Sequence, residues 1–313
     1  MDETTVDRAA AIRRGYALGL VGVIIFSLSL PGTRLAVPEL GAELVTAGRA
    51  ALAGLLSLAY LLVGRRRLPA RRHWRDLGLV IGGVVIGFPL CTALAMREVE
   101  ASHGGVVLSL MPLMTAGTGA LFAGERPSLR FWLAALAGTA VVLAFMLYRA
   151  GGFSQADLYL ALAGLGASIG YAGGARMTAH MPALEAISWS LALALPVSLP
   201  LMLFLWPADP AAASLVAWGA LGFVAAFPQF IGFFFWYGGL AAGGIARVGQ
   251  MQLLQVYFTL GFSALLLGER VDLVTWVAAV LTVFCVWLGR KAPVRSRAEG
   301  AAHLSHPDAS GRD

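Results

Sequence analysis

The 313-residue chain is 58% hydrophobic and only 13% charged, with 38 glycines and a mean hydropathy of +0.77, far outside the range of a soluble globular domain. Its net charge of +6 could suit a nucleic-acid partner, but the arginines gather in alternate loops of an apolar chain. That is the positive-inside pattern of a multi-pass membrane protein with both termini in the cytoplasm, and it excludes nucleic acid as the partner.

Residues 1–14 read as a cytoplasmic N-terminal segment, and their acidic residues ahead of a long apolar run argue for an uncleaved first span instead of a signal peptide. Ten apolar runs of about 20 residues, the length a helix needs to cross a bilayer, follow at 15–37, 42–64, 76–97, 102–123, 128–149, 157–178, 184–206, 214–237, 243–267 and 271–289. They are too long, and too apolar on every side, for the alternating strands of a membrane barrel. Span 1 carries Ser27, Ser29 and Pro31. Arg34 and Arg49 are the deepest charges of the first half, read as snorkelling to the outer interface, with binding of an acidic solute group as the second reading. Span 3 has Phe88, Pro89 and glycines four apart, span 4 has Met111 and Pro112, and span 6 has Tyr171 with Gly166, Gly170 and Gly174. Such glycine spacing lets helix backbones approach closely. Span 8 places Gln229 and Phe233 in an aromatic run whose last members, Trp236 and Tyr237, read as interfacial anchors. Span 9 holds Gln252, Gln255, Tyr257 and Thr259, and residues 290–313 read as a disordered cytoplasmic tail.

The stretch AGERPSLRFW, from Ala123 to Trp132, returns 144 residues later as LGERVDLVTW, from Leu267 to Trp276. At the same offset Pro38 meets Pro182, Trp74 meets Trp218, Gly78 meets Gly222 and Gly105 meets Gly249. The halves, 15–149 and 157–289, therefore read as two copies. Five spans per copy is an odd number, so the second copy enters the membrane upside down, the inverted repeat of secondary transporters with a solute site near the midplane. Glu125 and Glu269 end spans 4 and 9 and read either as caps of helix ends or as gate residues.

Gln252, Gln255 and Thr259 share one helical face and are expected to point inward, since an amide facing lipid is costly. Their counterparts in the first copy are Leu108, Met111 and Thr115. The interior prolines each free the carbonyl four residues earlier, that of Ser27 in the case of Pro31, and this must find another donor. The expected solute contacts are Ser27, Phe88, Met111, Tyr171, Gln229, Phe233, Gln252, Gln255 and Tyr257, with Glu125, Glu269, Pro31 and Pro112 as structural or gate residues. No phosphate-binding GxxxxGK[ST] occurs, so neither ATP nor any other cofactor is expected. No His, Asp or Glu lies near the middle of a span, which argues against a metal, an intramembrane enzyme and a central proton site. Cys91 and Cys285 read as small buried residues.

These features together resemble the drug/metabolite transporter superfamily, in its ten-span form of two EamA repeats. The resemblance is carried by the two five-helix copies, the Gly-Glu-Arg endings at Glu125 and Glu269, the Pro112 region, and Arg49 opening RAALAGLLSLAYLL. It is similar in look to the aromatic amino-acid and paraquat exporter branch. The resemblance implies a bacterial inner-membrane exporter of amino acids or similar small amphipathic metabolites, working by alternating access. It further implies a cavity formed by spans 1, 3, 4, 6, 8 and 9, with spans 5 and 10 peripheral. Span 1 lacks the carboxylate that four-helix relatives use for protons, which leaves a uniporter open. A lipid scramblase or membrane assembly factor is the alternative reading, and it predicts polar residues along a lipid-facing groove.

Overall fold

The computed structural model describes residues 3–111, 113–114, 117–118, 126–127, 129–150, 154–178, 180–243, 249–290 and 294–295. Its first apolar run folds as α1 (Glu3–Ser27) and α2 (Ser29–Leu40). The break at Leu28 has its cause three residues on, where Pro31 has no N–H to close the turn onto Ser27. Helix begins at Glu3, so most of the segment read as an N-terminal extension is helical. Gly41 takes a φ of 77°, which a side chain would resist, and α3 (Ala42–Val63) turns back beside α2.

The third run is one span, Arg71–Ala95, made of a 3-10 turn, α4 (Trp74–Val80), a π-helical stretch Ile81–Gly87 and α5 (Phe88–Ala95). Pro89 sits just beyond the widened stretch and cannot donate to Val85, so the ladder loosens where its donor is missing. α6 (Ala101–Leu108) opens the fourth run, and α7 (Leu129–Ala150) is the fifth. The second half supplies α8 (Gln155–Thr178), α9 (Ala183–Phe204), α10 (Leu215–Ala226), a π-helical stretch Phe227–Ile231, α11 (Gly232–Gly243), a 3-10 stretch Gly249–Leu254, α12 (Gln255–Leu267) and α13 (Leu273–Arg290). Arg126–Pro127 pairs antiparallel with Val294–Arg295. The rest of the tail lies outside the described residues.

Six helices among the described residues are long and apolar enough to cross a membrane, and three shorter apolar ones accompany them. Their outer faces are those of a protein solvated by hydrocarbon. Leu129, Leu133, Leu136 and Leu147 on α7, and Leu273, Val280 and Phe284 on α13, are all exposed, a surface that water would not tolerate.

The most extensive helix packings join the two halves: α3 on α9, α1 on α11, α2 on α10, α4 and α5 on α8, α6 on α12, and α7 on α13. The core therefore lies between the halves. The glycines of α8 make their contact as their spacing predicts. A Cβ on Gly83 would come 2.1 Å from the Gly166 carbonyl oxygen, so backbone meets backbone there. Polar pairs tie the halves at both ends. At one end Arg66 meets Glu185 at 2.9 Å and Arg176 meets Asp76. At the other Glu39 holds the Ser214 hydroxyl at 2.8 Å.

Candidate functional site

Two broken helices position the site. The carbonyl freed by Pro31, that of Ser27, accepts from the Thr259 hydroxyl at 3.3 Å. The carbonyl freed by Pro89, that of Val85, faces the Gln229 amide nitrogen at 3.5 Å, a long contact. In each case a kink in the first half is answered by a side chain of the second, as a bilayer interior demands. Val85 and Gln229 also stand 144 residues apart. The bond thus joins counterparts of the two copies.

Between these kinks lies a narrow cavity of about 30 Å³, room for one or two water molecules in this conformation. Phe88, Met111, Tyr171, Gln229, Phe233 and Gln255, six of the nine expected contacts, line it. An adjoining void, also of about 30 Å³, brings in a seventh, Gln252, and shares Met111 and Gln255 with the first. Met111 and Gln255 are themselves 144 residues apart, so counterparts of the two copies line both spaces. Aromatic edges shape one wall: Phe26 meets Phe233 at 5.0 Å and Tyr171 meets it at 6.5 Å, both T-shaped.

Several expectations are corrected by this geometry. Ser27 is fully buried. Its hydroxyl donates to Val23 O at 2.7 Å, with Gln255 O 3.2 Å away, so it fastens helices and does not line the cavity. Tyr257 is two residues from Gln255, about 200° around a helix, and instead of reaching the cavity it stacks on Trp276 at 6.2 Å. Trp236 and Tyr237 are buried, not interfacial anchors; the Trp236 backbone seats against Gly22 of α1, where a Cβ would meet it at 3.0 Å. Gln229 directs its carbonyl at Arg49 and not into free space. Pro112 and Glu125 lie outside the described residues. Glu269 accepts from the backbone N–H groups of Ala101 and Ser102 at 2.8 and 2.9 Å, which places its charge at the N-terminal end of α6, where it is favoured.

Arg49 is the largest departure from the sequence reading. It does not snorkel; it is 3% exposed and lines the cavity, adding span 2 to the six expected to form it. Its Nε donates to Gln229 Oε1 at 2.8 Å and its Nη2 to Ser29 Oγ at 3.2 Å. A second buried polar pair went unread as well. His103 Nε2 lies 2.7 Å from Asp157 Oδ1, and Asp157 also accepts from the backbone and hydroxyl of Ser154. The Ser154–Asp157 spacing is a helix-capping pattern visible in the chain; its histidine partner, 54 residues away, is not.

A bundle whose core lies between its halves, apolar outside and with a polar and aromatic cavity at the seam, is the construction of a multi-pass membrane transporter. The chain belongs to the EamA-like transporter family, whose model matches it twice, at residues 13–147 and 154–289. It is 42% identical over 278 residues to an uncharacterized transporter, YdeK, of Bacillus subtilis (strain 168), covering 88% of this chain and 97% of that one. A solved structure described only as the crystal structure of a protein aligns with a TM-score of 0.59 at 21% identity, over 93% of this chain and 99% of the other. That last likeness speaks to fold alone. The family and the relative are both described as transporters.

Proposed function

We propose that the chain is an alternating-access exporter of amino acids or similar small amphipathic metabolites, made of ten spans in two inverted five-helix copies, 15–149 and 157–289. In this reading it sits in the bacterial inner membrane with both termini cytoplasmic. The observation that carries it is the shared cavity wall: Met111 and Gln255 are counterparts at the 144-residue offset, and both face the space between the halves. Further support comes from the packing, since α4 and α5 lie on α8 just as α10 and α11 lie on α2 and α1, the arrangement obtained by exchanging the copies. Trp74 and Trp218, another such pair, each donate an indole N–H to the carbonyl of a proline upstream, Pro69 and Pro210. No carboxylate lines the cavity among the described residues, which favours movement down the solute gradient over proton coupling at that point. The scramblase alternative needs a polar lipid-facing groove. An outer groove is lined by Leu28, Leu35, Val216, Phe223 and Leu266 and carries no polar side chain among the described residues.

Replacing Gln255 with Leu removes an amide from both voids while keeping the size of the side chain. Counterflow of a panel of amino acids in proteoliposomes should fall by at least tenfold for the mutant, with insertion and yield unchanged. Undiminished counterflow would count against the cavity as the route.

A further inference from the structure

Among the described residues that line it, the cavity has one fixed charge, Arg49. Arg49 is 3% exposed, two of its nitrogens are held by Gln229 and Ser29, and its Nη1 has no hydrogen-bond partner among the described residues. No carboxylate among the described residues pairs with it. A guanidinium stays protonated under any physiological condition, and an uncompensated charge away from water is costly. Gln229 and Ser29 fix the plane of the group by binding the Nε side, which leaves the Nη1 edge with unused N–H donors. That edge belongs to a residue in the wall of a cavity whose lining also includes Phe26, Phe88, Met111, Tyr171, Phe233 and Gln255.

We infer that Arg49 is the binding site for the carboxylate of the solute, and that the solute class is small organic acids with an apolar or aromatic body. The assignment rests on the cavity being the transport route. A carboxylate suits a guanidinium because two oxygens can accept from two N–H groups at once, and its charge supplies the counter-ion that the protein omits. The same walls offer an ammonium group no anionic partner among the described residues, only aromatic faces and the Gln255 amide. Removing the carboxylate from a solute therefore costs more binding than removing its amine. Gln229 and Ser29 are positioning residues: they touch the guanidinium and hold it in place.

The test uses the full chain in detergent and in proteoliposomes with two series of equal body, one phenyl and one isobutyl. The compounds are 3-phenylpropionate, phenylalanine and phenylalaninamide, then 4-methylpentanoate, leucine and leucinamide. In each series the two carboxylates should raise the melting temperature and compete in counterflow, while the amide binds at least tenfold more weakly. Arg49→Gln should erase the difference between acid and amide, and Arg49→Lys should retain part of it, with size-exclusion profiles reporting that both variants fold. Amides binding as well as acids, discrimination that survives in Arg49→Gln, or no binding by either series would overturn the assignment. Loss of acid binding when phosphatidylglycerol replaces phosphatidylcholine would give the guanidinium to a lipid headgroup and overturn it too. Transport of amides and acids alike would leave the exporter reading standing without Arg49. Arg49-dependent binding of acids without any counterflow would instead keep the site and sink the exporter reading.

Discussion

Arg49 is buried in the wall of the cavity between the halves. It lies seven positions into α3, a depth from which a long side chain can either reach back to the interface or turn inward. Burial and partners decide between these, and both partners come from distant chain, Ser29 and Gln229. The Ser27 carbonyl is the opposite case, because Pro31 announces that it needs a donor and Thr259 supplies one. Replacing Thr259 with Val keeps the shape and deletes the bond, so unfolding in detergent should become easier by about 1–2 kcal/mol. A mutant as stable as the parent would mean the carbonyl finds another donor. Asp157 has more at stake. It is fully buried against His103 and bonds back to Ser154 ahead of α8, so Asp157→Ala should cost about 1–3 kcal/mol, the penalty for leaving a buried polar group without its partner. Unchanged thermal stability would rule out that role.

At the scale of elements, the helices were legible because apolar runs of spanning length have few other fates, and the contact face of α8 was legible because four-spaced glycines are smooth. Less legible were the π-helical stretches Ile81–Gly87 and Phe227–Ile231. Pro89 and Pro228 point to a kink but not to its form; at Ile81–Gly87 the side chain of Gln229 from the other half faces the freed Val85 carbonyl. Tyr257 was misplaced for a related reason: a helix with one polar face says nothing about what its opposite face meets, here Trp276. The glycines permit a paired test. Gly83→Val would drive a side chain into the Gly166 carbonyl, whereas Gly78 has nothing within 4 Å of a built Cβ. Gly83→Val should lower the yield of folded protein sharply, by an overpacking cost of about 3 kcal/mol or more, while Gly78→Ala should be neutral or slightly stabilising. Equal behaviour of the two in a detergent melting assay would mean the close approach is absent in the membrane.

For the whole molecule, duplication explains why neither half is a domain of its own. Each copy turns its polar and kinked surfaces toward the other, and the freed carbonyls, the glycine contact and the cavity all lie on that seam. The duplication itself was the strongest signal in the chain, since Gly-Glu-Arg and a trailing Trp do not recur by composition. What the chain could not announce was the placement of the Arg49 guanidinium at the seam, a property of two halves folded together. Inversion of the copies is the premise on which the transport reading depends, and it can be measured directly. With Cys91 and Cys285 replaced by Ala, single cysteines at the counterpart positions Leu68 and Ala212, both exposed, are treated in intact cells with a membrane-impermeant maleimide. Inverted copies place the two on opposite sides, so Ala212→Cys should label and Leu68→Cys should label only after the membrane is opened. Labelling of both, or of neither, in intact cells would put the two copies the same way up and contradict the account.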